Sequence, residues 1–497
     1  MNKKVDHLYT KLKTYSESGY YGFHMPGHKR NASLTGANLP YEIDITEIPG
    51  FDDLHHAEGI LKEAQERAAK LYHSEETHYL VNGSTVGILS AILGCTRYGD
   101  RILTARNCHK SVYNAVILNH LSPVYVYPEK CREMGLNGRI SPESVVEMLE
   151  RYPDIRAVVI TSPTYDGVVS DVRAIAEAVH SRGIPLIVDE AHGAHFGFHP
   201  YFPENSCSLG ADLVIHSLHK TLPALTQTAL LHINGELVDR RNVRRYLHML
   251  QSSSPSYVLM AGIDECVELL WENGEGLFER YTDLLERTRR KLKDLENLKL
   301  FDEEYCDRSK ILISCRNLER KIGEEIKKYT GKDLYEDLKN KYLLQMEMAA
   351  PDYVIAMTSP ADTEDGMRRL TEALREIDQS LAKCEEDDGK LAEMNLRHGN
   401  QQVWTPDEAE RIRAESVAGV KSALETGSRK LVSAGWDECA GGVALEYAYV
   451  YPPGIPLIVP GERISSDTAK LLADYEAQGF QIEGTQKHGR IEVMVNG

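Results

Sequence analysis

Ser-Leu-His-Lys at 217–220 closes the mostly apolar run Ala211 to Ile215, and Asp189 closes an earlier apolar run, Pro185 to Val188. Short apolar runs bounded by polar residues read as buried strands, so one lysine and one acid each stand just past a strand. Strand ends of open α/β sheets are where ligands collect. Upstream, Tyr79-Leu80-Val81 leads through Asn82-Gly83-Ser84-Thr85 into a helical stretch from about Val86 to Leu93. That order sets Ser84, Thr85 and nearby backbone N–H groups at a helix N-terminus, where unpaired donors and the helix dipole favour a phosphate.

An amine, a carboxylate and a phosphate cradle are what pyridoxal 5'-phosphate requires of a protein. Lys220 is read as the Schiff-base amine, and Asp189 as the acid that keeps the pyridine nitrogen protonated. Singly, each feature has an ordinary explanation, because most lysines after strands are solvated and Ser and Thr cap helices in many proteins. Their combination at successive strand ends makes the cofactor reading the better one.

Strand and helix alternate around these segments. Strands are expected at Arg101 to Ala105, Val124 to Tyr127, Ala157 to Thr161, Pro185 to Val188 and Leu213 to Ile215; helices fall near Ser111 to Leu118, Pro142 to Leu149 and Val172 to Ser181. Repeated βα units with nearly continuous apolar strands predict an α/β fold, a mostly parallel sheet covered by helices. Earlier, Leu8 and Leu12 mark a short amphipathic helix, and Ile60 to Tyr72 repeats apolar residues at helical spacing. Asn107-Cys108-His109-Lys110-Ser111 follows a strand, where an imidazole could stack on a cofactor ring.

Further along, Arg240 to Leu270 and Gly276 to Leu295 read as helices. Strand-like runs between Leu298 and Ser314 and at Tyr353 to Met357, separated by a helix at Leu318 to Lys328, suggest a smaller α/β domain. The expected organisation is an N-terminal arm and active-site segment at 1–59 and a large cofactor domain at 60–299. A small α/β domain at 300–378, a charged helical connection at 379–428 and a C-terminal α+β domain at 429–497 follow. Cys384 to Gly389 is the expected exposed part of that connection, and the prolines of 452–460 fix an extended segment. A helix at Ser466 to Gln478 and a strand at Arg490 to Val495 would complete the last domain. Phe23 to Arg30 and Asp52-Asp53-Leu54-His55 read equally well as exposed polar loops or as parts of an active-site mouth.

At 497 residues the chain is long enough for two or three domains, and its net charge of −18 argues against a nucleic-acid partner. No uninterrupted apolar run could span a bilayer and no leader follows Met1, so no membrane role is expected and the compartment reads as cytoplasmic. The nine cysteines show no CxxC pair or zinc spacing, which suggests reduced thiols and no metal site.

The chain resembles the ornithine/lysine/arginine decarboxylase family, pyridoxal phosphate enzymes of the aspartate-aminotransferase fold (fold type I), in its short form. The resemblance runs through Phe-His-Met-Pro-Gly-His-Lys at 23–29, Asn-Gly-Ser-Thr at 82–85, Arg-Asn-Cys-His-Lys-Ser at 106–111 and Thr-Tyr-Asp-Gly at 164–167. It continues through Asp-Glu-Ala-His-Gly-Ala-His at 189–195 and Ser-Leu-His-Lys at 217–220 to Tyr-Pro-Pro-Gly-Ile-Pro at 451–456. It implies that Lys220 is the Schiff-base lysine, Asp189 the partner of the pyridine nitrogen and His109 the ring-stacking histidine. Ser84, Thr85, Ser217 and His219 would form the phosphate cradle, with His192 close to the ring. Reprotonation at the α-carbon would fall to Lys220 or His219.

The resemblance also implies decarboxylation of a small basic amino acid, arginine or lysine before ornithine, within polyamine synthesis. A homodimer or higher homo-oligomer is the implied assembly, with 23–30 helping to complete a site, and the N-terminal receiver-like wing of longer members is expected to be missing. Glu462 and Glu446 are candidates to meet the substrate's distal cation. An α-oxoamine synthase or aminotransferase on the same fold is the alternative enzyme, and a catalytically silent regulatory paralogue the alternative outside catalysis. His219 directly before Lys220 and the Pro-Pro-Gly-Ile-Pro segment favour the decarboxylase over the former. The intact lysine, acid and cradle argue against the latter.

Overall fold

Two strands buried at all five positions, Leu213–Ser217 and Ala229–Ile233, lie at the centre of the first of two units into which the chain divides. This computed structural model describes residues 7–21, 23–31, 33, 36–131, 134–384, 399–418, 429–451 and 454–496. Gly22, Pro452, Pro453 and the stretches 385–398 and 419–428 of the expected connection lie outside the described residues. The first unit comprises 1–95, 172–283 and 359–361; the second comprises 96–171, 284–358 and 362–497.

In the first unit the strands run in the order Glu76–Leu80, Ala229–Ile233, Leu213–Ser217, Leu186–Asp189. The last two are parallel, with Asp189 opposite Ile215; the other pairings are antiparallel, and both Leu80 and Ser217 lie opposite Ala229. This register brings the Asn82–Thr85 turn, the Leu218–Lys220 turn and Asp189 to one edge of the sheet. The strands lack polar alternation because both faces are covered. Helix Gly83–Cys95 packs close on them: a Cβ at Gly87 would lie 2.7 Å from Leu80 Cδ1, so a larger residue there would push the helix off the sheet. Leu8–Glu17 and Ile60–Leu71 are helical as expected, with Leu8, Leu12, Leu61, Ala64 and Ala68 buried.

Where one helix was expected over Arg240 to Leu270, there are two, Arg240–Leu250 and Tyr257–Lys293. Gln251 to Ser256 carries four serines and Pro255, and proline both lacks an N–H and biases its predecessor away from helix. The second helix runs 37 residues and absorbs the separately expected stretch from Gly276. Gly274 and Gly276 are tolerated within it at roughly 1 kcal/mol each relative to alanine.

In the second unit, Ile155–Thr161, Arg101–Ala105 and Ser122–Val126 form a parallel set with Arg101–Ala105 in the middle. Helices Lys110–Leu118 and Pro142–Arg151 follow two of these strands in sequence. A small antiparallel sheet holds Lys299–Leu300, Lys310–Ser314, Tyr353–Met357 and Met348–Ala349. The helix expected at Leu318 to Lys328 is instead a hairpin, Leu318–Ile322 paired with Glu325–Tyr329. Leu318, Ile322, Ile326 and Tyr329 mimic helical spacing, yet only the facing ends Leu318 and Tyr329 are buried, and Gly323 at φ 65° makes the turn. A helix starts two residues after the hairpin, at Gly331–Tyr342, behind a Thr330–Asp333 capping box.

The C-terminal part has a five-stranded sheet, Gln401–Gln402, Glu462–Arg463, Val443–Ala444, Arg490–Asn496 and Arg429–Gly435 in that order. Trp436, Ile458, Leu472, Ile491 and Val493 fill its core, and helices Pro406–Val417 and Ser466–Ala477 belong to it.

Candidate active site

Lys220 lies in the single helical turn Leu218–Thr221 that follows strand Leu213–Ser217, and its Nζ is 3.0 Å from His192 Nε2. His192 reaches it from the turn after Asp189. Asp189 is 4% exposed, and one carboxylate oxygen accepts the Ala191 N–H at 3.2 Å. Burial pushes its carboxyl above the ordinary range, while the nearby Lys220 ammonium acts in the opposite direction.

Across the same edge, Ser84 Oγ and Ser217 Oγ are 2.6 Å apart. Gly83, at φ 74°, turns the chain into the helix, a conformation that costs glycine little. Thr85 is exposed in the first turn. His219 Nδ1 sits 2.8 Å from the Thr228 carbonyl, which can only accept, so this nitrogen carries the hydrogen and Nε2 is the acceptor. Burial lowers the His219 pKa, with the Thr228 contact opposing and Lys220 adding to the fall. Gln227, at φ 84°, donates from Nε2 to the Val81 carbonyl at 2.6 Å. The loop after the lysine is thereby tied to the end of the strand that precedes the Asn82–Thr85 turn.

Behind this edge runs a buried polar chain. Glu190 Oε1 lies 2.7 Å from His216 Nε2, His216 Nδ1 lies 3.0 Å from His232 Nε2, and His232 Nδ1 lies 2.8 Å from Thr77 Oγ1. Ser206 donates to Glu190 from both its N–H and its hydroxyl. Burial pushes Glu190 up to about 8 and His216 down to about 3. Glu190 and His216 meet the distance criterion for an ion pair, but both shifts favour the uncharged forms. The pair is neutral with one shared proton, since desolvating two opposite charges costs more than moving that proton.

The second unit holds the remaining expected residues. His109 Nδ1 accepts from the Ser111 N–H at 3.2 Å and lies 2.9 Å from Ser111 Oγ, capping helix Lys110–Leu118. Glu462, a candidate for the substrate cation, already meets a cation of its own chain. Arg106 Nε and Nη2 donate to its two oxygens at 2.9 and 3.0 Å, and the Val459 N–H and Asn400 Nδ2 add bonds at 3.0 and 3.3 Å. Arg106 also donates to the Pro456 carbonyl at 2.7 Å and to Tyr113 at 3.2 Å. Burial works against its charge, and Glu462 more than offsets this, so the guanidinium pKa stays above its ordinary value. Glu446, the other candidate, is buried as well and accepts the N–H groups of Gln486 and Glu492 at 3.1 and 2.8 Å.

Sequence reasoning passed over Arg106, Glu190, His216 and His232. The signal was available: His216 and His232 each interrupt a strand that is otherwise apolar, and a buried polar group requires a partner. Arg106 offered no such sign, because its partner stands 356 residues away. None of the nine cysteines is joined in a disulfide.

The fold is that of the fold type I pyridoxal phosphate enzymes, with Asp189 and Lys220 at the ends of two adjacent parallel strands of the central sheet. The Orn/Lys/Arg decarboxylase major domain matches residues 6–325, and the C-terminal domain of the same family matches 413–484. The chain belongs to the Orn/Lys/Arg decarboxylase family and is a decarboxylase, a lyase. It is 34% identical over 495 residues to an uncharacterized protein of Bacillus subtilis, YaaO, covering 98% of each chain. It is 30% identical over 501 residues to a Bacillus subtilis arginine decarboxylase, covering 98% of this chain and 96% of the relative. A Francisella novicida lysine decarboxylase structure shares the fold at TM-score 0.79 and 19% identity, over 100% of this chain and 82% of that one.

The family implies pyridoxal phosphate, and the residues of the first unit suit it. A lysine amine, a buried acid, and two hydroxyls in contact beside a helix N-terminus would suit its aldehyde, ring nitrogen and phosphate. Among the described residues, no helix is long and apolar enough to cross a membrane.

Proposed function

We propose that the chain decarboxylates arginine to its amine with pyridoxal phosphate, as a cytoplasmic homodimer or larger homo-oligomer feeding polyamine synthesis. One observation carries the reading: Lys220 Nζ stands 3.0 Å from His192, on the sheet edge that also holds buried Asp189 and the Ser84–Ser217 pair. Arginine is favoured over lysine because the relative that matches along the whole chain at 30% identity is an arginine decarboxylase.

When bound, pyridoxal phosphate supplies an electron sink for the pair left as the substrate carboxylate departs as carbon dioxide. The chain's own residues would do the rest. Lys220 would supply the amine that holds the cofactor. Asp189 would hold a proton on the ring nitrogen, in a buried setting that strengthens such a bond by excluding water. Ser84, Thr85, Ser217 and the free N–H groups of helix Gly83–Cys95 would gather the phosphate. His219 Nε2, with Nδ1 fixed on Thr228, could relay a proton, and the amine of Lys220 is the second candidate to protonate the α-carbon.

The test is to incubate purified protein and cofactor separately with arginine, lysine and ornithine and read the products by mass spectrometry. Agmatine alone, lost in Lys220→Ala, is the expected result. Cadaverine or putrescine would reassign the substrate. If the wild-type chain holds cofactor in a borohydride-reducible form yet releases no amine from any of the three, the decarboxylase reading fails.

A further inference from the structure

The second unit contains a cavity of about 130 Å³ between the 134–137 hairpin, the 348–353 turn and the C-terminal residues Val450, Ile455, Leu457, Tyr475 and Phe480. Met134, Leu136, Met348 and Phe480 give it apolar walls, and Tyr353 and Tyr475 add aromatic faces. Its acids are Asp166 and Asp352; no lysine or arginine lines it. Asp166 is 9% exposed, and Tyr353 is the sole other residue donating to its carboxylate among the described residues, with its hydroxyl at 2.8 Å.

We propose that this cavity is a binding site for a small alkylammonium ion, whose charged head meets the Asp166 carboxylate and whose alkyl chain lies among Met134, Leu136, Met348 and Phe480. A carboxylate in apolar surroundings is costly to ionise unless a cation or several donors meet it. Burial accordingly raises the Asp166 carboxyl; the Tyr353 bond and the charge of Lys310 act against that rise. Lys310 also stands 4.0 Å from buried Asp307. An incoming cation would stabilise the ionised Asp166 carboxylate, and the tyrosine rings favour it through their negative faces.

The volume sets the size. A cavity of about 150 Å³ accommodates benzene, so about six to eight non-hydrogen atoms fit here. An anion would meet two acids and no lysine or arginine in the lining.

The probe is N,N-dimethylbutylammonium, a tertiary amine that cannot condense with an aldehyde and so cannot form a bond to the cofactor. It is titrated into the full-length chain by calorimetry, with the neutral 2-methylhexan-2-ol as a shape control. The expected result is one saturable site per chain, at least tenfold weaker in Asp166→Asn and unchanged in Lys220→Ala. Ala349→Leu, which narrows the cavity and leaves Asp166 in place, should abolish binding, and it serves as the test if Asp166→Asn does not fold. The inference is overturned if no saturable binding occurs, or if the alcohol binds as tightly as the ammonium. It is equally overturned if Asp166→Asn or Ala349→Leu binds like the wild type, or if binding disappears in Lys220→Ala. None of these outcomes depends on decarboxylation.

Discussion

Two glutamates, Glu190 in the first unit and Glu462 in the second, are almost fully buried, and their neighbours make them opposites. Glu462 faces a guanidinium through two parallel N–H···O bonds. Arginine keeps its proton in any protein environment, so that pair is ionic, and its geometry is fixed by the planar fork. Glu190 faces His216, a base that burial pushes down to about 3. There the proton moves to the carboxyl and the charges vanish. Burial alone therefore does not decide whether an acid is charged; the basicity of the group 3 Å away does.

The largest expected effect comes from breaking the ionic pair. Arg106→Met strands a buried carboxylate and should cost about 3–5 kcal/mol, read as the urea unfolding of the buried Trp436 fluorescence. The double variant Arg106→Met, Glu462→Leu should recover most of that loss, since neither charge remains to be desolvated.

The neutral pair should respond less to truncation and more to pH. Glu190→Leu leaves His216 Nε2 and Ser206 without their partner, at about 1–3 kcal/mol for each group left unpaired. Glu190→Gln keeps a hydrogen bond and removes a titration. Glu190 has a folded-state pKa of about 8, above its ordinary 4.5, so the folded chain holds a proton that the unfolded chain has lost between those values. Stability therefore falls as pH rises through that window. Below about 6.5, buried His216 works with the opposite sign, because the unfolded imidazole takes up a proton and the folded one does not. From pH 6.5 to 8 the wild type should lose about 2 kcal/mol relative to Glu190→Gln; parallel curves over that range would mean that Glu190 is ionised throughout.

A surface hydrogen bond sets the lower end of the comparison. Thr405 caps helix Pro406–Val417 in a reciprocal box with Glu408, and Thr405→Ala should cost about 1 kcal/mol in the same unfolding assay.

What could be read from the sequence follows the range of the interactions. Strand Arg101–Ala105 falls where its apolar run ends, and the lysine, acid and Ser-Thr turn share an edge because each closes a strand. Those are local patterns, repeated by the sheet register. The hairpin at Leu318–Tyr329 was misread because four apolar residues at helical spacing lie beside a glycine turn that the pattern does not weigh. Glu462 was read as a group for the substrate because an acid next to a proline-rich segment gives no hint of an arginine far upstream. Pairs fixed only by the folded topology leave no periodic trace.

That long separation has a consequence for how the protein is made. Arg106 and Glu462 are 356 residues apart, and at about 5–20 residues per second a ribosome takes roughly 20–70 s to bring the second after the first. Throughout that interval Arg106 must stay in water or hold a substitute partner, and the parallel strands beside it cannot close in their final form. The second unit is thus obliged to finish late, whereas the polar chain from Glu190 to Thr77 is complete once His232 has emerged.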